Sequence, residues 1–325
     1  MIVITGGAGF IGSALLWALN NRGRQDILLV DDVDHAEKEN NIAPLQYEEL
    51  IGIDDFQSKL KAGEYDQRGI TGILHLGAIS ATTEKSWEKL QQRNVEYTQD
   101  IIRWCVDRGV RCVYASSGQT YGFGELGYND DHKLFDQLKT ITLYGKSKLV
   151  VDIWARDAGY LEQIVGLRYF NVFGPNENHK EDMRSVIAKQ YDTIKKNGAI
   201  ELFKSYDAKY ADGEQQRDFV YVKDAVDATL WFFDHPEING VYNVGTGIAR
   251  SWNDVANAMF AALNMPPNIQ YVPMPEVLQG KYQYYTLADI TKLRKAGYTA
   301  AFRPLETAVK EYIQDYLEPH KHLGE

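Results

Sequence analysis

The sequence predicts an α/β protein: a Rossmann-type, doubly wound parallel sheet with a smaller, interleaved C-terminal lobe. Three observations carry that expectation. The first half of the chain alternates short apolar runs with amphipathic stretches of helical period, the pattern of a parallel sheet covered on both faces. A glycine-rich segment, Gly6 to Gly12, joins the first apolar run to the first helical stretch. Tyr144 and Lys148 stand four residues apart where a later helical stretch begins.

The elements are expected in this order. Ile2 to Thr5 reads as a buried strand, Phe10 to Asn20 as a helix, and Ile27 to Val30 as a second strand ending at Asp31. Ile73 to Leu76 is a third strand, Val95 to Arg108 a helix and Val110 to Ala115 a fourth strand. Leu143 to Ala158 is a helix and Ile164 to Arg168 a fifth strand. Beyond Tyr169 the rhythm becomes irregular. Helices are expected at Ser185 to Asn197, Trp252 to Leu263 and Leu305 to Tyr316, with a strand at Val241 to Val244. Val220 to Asp234 reads as a strand that becomes a helix, and Lys204 to Gln216 is polar and tyrosine-rich. Trp231-Phe232-Phe233 reads as core, and the end around His320-Lys321-His322 as a disordered tail. No repeat or low-complexity linker separates the halves. Residues 1–170 are therefore assigned to a dinucleotide-binding domain, to which 218–246 and about 287–300 return. A substrate lobe takes 171–217, 247–286 and 301–325.

A chain of 325 residues exceeds the ~250–300 residues at which a single core stops growing, so a large domain with an attached lobe is the natural outcome. The formal net charge of -10 argues against binding a nucleic-acid backbone, which needs clustered Lys and Arg. Cys105 and Cys112 have no metal-ligand spacing and are read as reduced, buried thiols. No metal site is expected. No apolar run approaches the ~18 residues of a membrane span, and the first strand leads directly into the glycine segment. A cytoplasmic protein without a membrane partner is expected.

Gly6, Gly9 and Gly12 give a GxxGxxG spacing between a strand and a helix. Glycines let the backbone turn tightly and approach a pyrophosphate, and the helix N-terminus adds N–H donors and partial positive charge. Asp31 ends the second strand about 20 residues on, where a carboxylate can receive ribose hydroxyls. Asp31 and Asp32 favour NAD, while Lys38 lies near enough in sequence to offset their charge, so NADP and NAD both stay open.

On a helix Tyr144 and Lys148 share a face. A tyrosine needs roughly three units of pKa lowering, about 4 kcal/mol, to act as a base at neutral pH. A lysine cation ~4 Å away at an effective dielectric of ~20 supplies a similar amount. Ser117, at the end of the fourth strand, can hydrogen-bond a reacting hydroxyl and share its proton with Tyr144. Ser116 is read as a capping or turn residue.

With these residues in order, the chain resembles the extended short-chain dehydrogenase/reductase family, the NAD-dependent epimerases and dehydratases. The matching segments are Gly6 to Gly12, His75 to Ala78, Asn94-Val95, Ala115 to Ser117, Tyr144 to Lys148 and Arg168 to Pro175. Arg217 to Val222 with Asp224, and Tyr242 to Gly245, match as well. A narrower likeness, to the branch acting at C6 of ADP-heptose, rests on Ser80 to Glu84, on Asn178-His179-Lys180 with Met183, and on Leu278 to Gln283.

The resemblance implies transient oxidation of a sugar alcohol to a ketone and its re-reduction by one tightly bound NADP, or alternatively NAD, per subunit of a homo-oligomer. Tyr144 is implied as one acid/base and Lys180 as the second, with a diphosphate ligand as the other reading of Lys180. Lys148 would hold the ribose and tune Tyr144, and Ser117 would bind the reacting oxygen. Phe10, Ile11, Asp31, Asp32 and Lys38 would line the adenosine half of the cofactor. Leu76, Gly77, Ala78, Ser80 and Asn94 would surround its centre, with Val172 and Lys180 beside it.

Ser80, Ser117, Asn171, Arg217 and Tyr282 are implied on the sugar nucleotide, and Phe203 near its base. Arg217 could instead form a salt bridge to Asp218 or Asp224. Asp182 and Lys189 stand where the family has a serine and a histidine, and are carried as substrate-lobe candidates. Ile53 replaces a lysine expected near the cofactor, and the loop from Ser205 to Gln216 is longer than usual. A 4-epimerase would share everything except the Lys180 and Tyr282 segments. A 4,6-dehydratase needs an acidic pair after the serine, where Gly118-Gln119 stands. A non-catalytic cofactor sensor has no need of Ser117, Tyr144 and Lys148 together.

Overall fold

The computed structural model describes residues 1–276, 278–280 and 282–325. Six strands of the first half are β1 (Ile2–Thr5), β2 (Ile27–Val30), β3 (Glu49–Ile51), β4 (Gly72–His75), β5 (Arg111–Ser117) and β6 (Val165–Tyr169). The later strands are β7 (Asn171–Phe173), β8 (Ile200–Phe203), β9 (Gln216–Tyr221), β10 (Gly240–Val244), β11 (Ala249–Ser251) and β12 (Ile269–Val272). The first six and β10 form one seven-stranded sheet in the order β10-β6-β5-β4-β1-β2-β3, every pair parallel. Sheets of three (β11-β9-β7) and two strands (β12-β8) stand beside it.

The strands are apolar on both faces because both are covered. Ile2 and Ile4 face a core shared with the helices Phe10–Asn21, Val222–Asp234 and Trp252–Ala262. Val3, Leu28 and Val30 face a second core with Phe56, Ile101 and Val151 from the helices Ile53–Lys61, Tyr97–Arg108 and Leu143–Asp157. The strand order reverses between β1 and β4, and such a switch point opens a crevice at the carboxyl ends of the strands. The loops after β1 and β4 meet there. Gly6 has φ of +67°, and a Cβ on it would lie 2.8 Å from the Gly77 nitrogen.

Three departures from the sequence expectation have physical causes. The helix expected from Val95 begins at Trp87, passes through a π-helical turn at Gln91–Glu96 and continues as Tyr97–Arg108. β3 is a three-residue edge strand, too short to show a period. The C-terminal end is not a disordered tail. Leu323 is fully buried, its N–H donates to Asn176 Oδ1 at 3.0 Å, and His322 lies 3.5 Å from Glu37.

The helix Leu143–Asp157 is held on the sheet by a buried ion pair. Asp152 lies 2.9 Å from Arg168 of β6, and both side chains are fully buried. The Tyr114 and Ser116 hydroxyls of β5 each donate to the same carboxylate at 2.9 Å. Removing one partner strands the other charge in a dry interior, which costs about 3–5 kcal/mol. Arg168→Met is expected to lower unfolding free energy by that order in denaturant titration. A loss under about 1 kcal/mol would show that the pair does not hold the helix.

Candidate active site

A cavity of about 810 Å³ opens along the carboxyl ends of the central strands. Its walls bring together most of the residues singled out in the sequence. Gly6, Gly9, Phe10, Ile11 and Gly12 contribute from the loop after β1, and Asp31, Asp32 and Lys38 from beyond β2. Leu76, Gly77, Ala78 and Ser80 come from beyond β4, and Ser117 from the end of β5. Tyr144, Lys148, Asn171, Val172 and Lys180 complete it.

The glycine loop is a cradle for a large anion. A Cβ on Gly12 would fall 2.0 Å from the Gly6 carbonyl oxygen, so no larger residue fits without moving the backbone. The helix it opens has Gly9 at its N-cap with no side-chain cap, leaving N–H groups to a ligand. The loop shape is set by Asp31, whose Oδ2 accepts the Ala8 N–H at 3.0 Å. These features fit a dinucleotide diphosphate.

The β4 loop is fixed by a directed chain of hydrogen bonds. Thr98 donates to the Asn94 carbonyl at 2.6 Å, so His75 Nε2 must donate to Thr98 Oγ1 at 2.8 Å. His75 Nδ1 then accepts from Thr5 Oγ1 at 2.6 Å, which in turn accepts the Gly77 N–H at 3.1 Å. Burial pushes the His75 pKa down to about 3, which keeps the ring neutral for this role. Asn94 is fully buried behind the wall. Its amide grips the N–H and carbonyl of Ile79 at 2.8 and 3.0 Å and donates to Ser147 Oγ at 3.0 Å. It therefore ties the β4 loop to the helix of Tyr144.

Thr142 caps that helix by accepting the Gly145 N–H at 3.0 Å. A Cβ on Gly145 would lie 2.7 Å from the Gln119 carbonyl, so the close approach presses Tyr144 toward the end of β5. Burial raises the Tyr144 phenol, and the neighbouring Ser117 hydroxyl opposes that rise. The Lys148 ammonium stands 6.0 Å from the Tyr144 ring centroid. Burial pushes its pKa down to about 8, and Asp152, one turn along the helix, opposes the fall.

Lys180 reaches the cavity from the irregular segment Asn178–Met183, its ammonium 4.9 Å from the Phe10 ring centroid. Burial lowers its pKa, against the pull of Glu177. Buried Glu177 anchors this segment: its Oε2 accepts the Ser185 N–H at 2.5 Å, and its Oε1 accepts the Ser185 and Tyr312 hydroxyls at 2.7 and 3.1 Å. Asn41 donates to the Ala8 and Asn176 carbonyls at 3.0 and 3.1 Å, joining the glycine loop to the same segment. Glu177 and Asn41 were missed in the sequence, since neither lies in a recognisable spacing.

Six candidates lie outside the cavity wall: Asn94, Asp182, Lys189, Phe203, Arg217 and Tyr282. Asp182 is exposed, and its carbonyl accepts from Lys189 Nζ at 3.2 Å. Phe203 ends β8, partly buried. Arg217 is buried on β9, where it donates to the carbonyls of Gln216 and Gln283. Its guanidinium lies 5.2 Å from the Tyr282 ring and 5.9 Å from that of Trp252, a wall residue. Trp252 Nε1 donates to the Tyr282 hydroxyl at 2.8 Å. The salt bridges considered for Arg217 do not form. Asp218 accepts the Thr246, Gly247 and Ala288 N–H groups, and Asp224 pairs with Arg303. Cys105 and Cys112 are free and buried. Among the described residues no group of acidic, His or Cys side chains could hold a metal ion. No described helix is long and apolar enough to cross a membrane.

The chain is 45% identical over 317 residues to an ADP-L-glycero-D-manno-heptose-6-epimerase of Nitratidesulfovibrio vulgaris, covering 98% of each. A protein of the same name from Fusobacterium nucleatum is 43% identical over 326 residues, again covering 98% of each. The crystal structure of the Helicobacter pylori ADP-L-glycero-D-manno-heptose-6-epimerase superposes with a TM-score of 0.81 at 26% identity, covering 97% of this chain and 95% of that one. Residues 2–245 match the model of the NAD dependent epimerase/dehydratase family, and with the glycine cradle and the Tyr144–Lys148 pair in one cavity, the chain belongs to that family.

Proposed function

We propose that the chain is an ADP-heptose 6-epimerase, interconverting ADP-D-glycero-D-manno-heptose and ADP-L-glycero-D-manno-heptose and supplying heptose for lipopolysaccharide. The observation that carries this is the meeting of Tyr144, Ser117, Lys148 and Lys180 in one cavity, in a chain similar to such epimerases from end to end. A dinucleotide held by the glycine cradle supplies a two-electron acceptor and donor, which makes a secondary alcohol and its ketone interconvertible.

The protein's own part is to hold the sugar and move a proton. Ser117 holds the oxygen at C6, and Tyr144 takes its proton as the ketone forms. The Lys148 charge, 6.0 Å from the ring centroid, would favour the phenolate against the rise that burial imposes. The two C6 epimers present their hydroxyls in different directions, so a second acid is useful, and Lys180 returns a proton to the oxygen on the other side. Lowered by burial, Lys180 gives up a proton more readily than an exposed lysine. Arg217, Tyr282 and Phe203 extend the site toward the sugar nucleotide's diphosphate and base. The same reading makes the protein a cytoplasmic homo-oligomer with one NADP or NAD per subunit.

Incubating the purified protein with ADP-D-glycero-D-manno-heptose, without added cofactor, is expected to yield the L-glycero epimer by chromatography. No conversion even with added NADP+ and NAD+ would refute this function and favour a 4-epimerase acting on another sugar nucleotide. Tyr144→Phe is expected to lower turnover by about 100- to 10,000-fold, the range for a lost general acid/base. Lys180→Met should lower kcat while the dinucleotide stays bound; a raised KM alone would make Lys180 a binding residue.

Lys148 gives a prediction of opposite sign for stability. Its folded pKa of about 8 lies below the ~10.4 of an unfolded lysine. The unfolded chain therefore binds more protons between those values, and stability rises with pH across that window. At pH 7 the buried charge costs up to about 3 kcal/mol. Lys148→Met, stripped of dinucleotide, should be more stable than the parent at pH 7 and gain less from pH 8 to 10, yet lose turnover. A variant less stable at pH 7 would contradict the account.

A further inference from the structure

We propose that the adenosine end of the cavity selects NAD over NADP, because Lys38 is occupied by the protein's own oxygens and the surrounding charge is negative. This deepens the proposed function, resting on its assumption that the cavity holds a dinucleotide. An acidic residue after the second strand of such a sheet receives ribose hydroxyls, whereas a 2′-phosphate needs a cation to meet it. Lys38 is the cation beside Asp31. Its Nζ lies 3.2 Å from Asp31 Oδ1, 3.0 Å from Asp34 Oδ1 and 2.8 Å from the Asp32 carbonyl oxygen. An ammonium has three N–H donors; two are hydrogen-bonded to Asp31 and Asp32, and the Asp34 carboxylate pairs with the same ammonium.

Freeing Lys38 for a phosphate would strand Asp31. That carboxylate is buried, and desolvation already opposes its charge while Lys38 supports it. With Lys38 in place, Asp31 accepts the Ala8 N–H on its other oxygen and keeps lone pairs for ribose hydroxyls. The wall residues next to Asp31 and Lys38 add little welcome for a 2′-phosphate. Asp32 faces the cavity with its Oδ1 fixed by the Ile53 N–H at 3.0 Å, and Ile53 presents an apolar side chain. The second cation, Arg93, pairs with Asp54 at 2.5 Å. Asp31, Asp32, Asp34 and Asp54 thus face Lys38 and Arg93. A phosphate monoester would add about 1.5–2 further negative charges, and exclusion by uncompensated charge is a common source of specificity.

The protein purified with its retained dinucleotide is denatured, and the released nucleotide is identified by chromatography and mass spectrometry. NAD is expected as the main species; NADP as the main species overturns the inference and leaves the epimerase function intact. Titration calorimetry on the stripped protein should give NAD+ at least about ten-fold tighter than NADP+, or about 1.4 kcal/mol. Equal affinities or a preference for NADP+ would overturn it. The double variant Asp32→Asn with Ile53→Lys should move the affinity ratio toward NADP+ by about ten-fold or more. Lys38→Met should weaken both dinucleotides by similar factors, and a loss confined to NADP+ would mark Lys38 as a phosphate ligand. Binding of neither dinucleotide would overturn the inference together with the function on which it rests.

Discussion

Arg168 and Asp152 meet at 2.9 Å where neither touches water. Arg168 belongs to β6, and Asp152 to the helix that carries Tyr144 and Lys148. Both Asp152 oxygens are engaged by Tyr114, Ser116 and Arg168. Arg168 Nη1 has no hydrogen-bond acceptor, but the Phe135 and Tyr121 rings lie 4.3 and 4.8 Å from its guanidinium carbon and receive the charge on their faces. Such a network tolerates one geometry. It sets the depth and rotation of the helix, and through them where the phenol and ammonium enter the cavity. Asp152 also acts on the site directly, since its field keeps the buried Lys148 ammonium from falling further.

Lys180 is placed by a different means. It stands on a segment next to Glu181, whose φ of +47° is unusual for a residue with a side chain. A conformation of that kind costs of order 1–3 kcal/mol and persists only where its surroundings impose it. Here Glu177 fixes the segment at Ser185 and Tyr312, and Asn41 fixes its start to the glycine loop. The C-terminal end joins in through Leu323 and Asn176. Residues far apart in sequence thus converge on one lysine, and the docked tail belongs to the scaffold of the site.

The sheet and the Tyr144 helix were legible because their signals are local. Ile2 to Thr5 and Ile27 to Val30 are unbroken apolar runs, and Tyr144 with Lys148 needs only helical spacing. The helix Ala36–Ile42 has only Ile42 as a large apolar residue and no stripe to detect. The helix Ile53–Lys61 could have been found, since Phe56 and Leu60 lie four apart with Asp54 and Asp55 in its first turn and lysines in its last. The substrate side was harder. Asp182 and Lys189 were placed by resemblance at positions where this chain departs from the family, and they lie away from the cavity. Asn94, expected beside the cofactor, is buried by the π-helical turn, where it braces the β4 loop. That turn is a tertiary feature, and no sequence period announces it.

The cations divide into two groups by what the protein gives them. Arg168 and Lys38 are matched to carboxylates of the chain itself. Lys148, Lys180 and Arg217 have no carboxylate within ion-pair distance among the described residues, and burial lowers the pKa of each. A desolvated cation without a counter-charge is costly unless something arrives to compensate it. The anionic ligands proposed for this site, a dinucleotide and a nucleotide sugar, each bring a diphosphate. On the proposed reading, an acidic protein would hold two polyanions without a basic surface, since these three dry cations would be compensated when the ligands bind. Arg111 and Lys292 are also half-buried without a carboxylate partner among the described residues, but both donate to backbone carbonyls outside the cavity, so burial without a counter-charge has to lie at or beside the cavity before it bears on ligands.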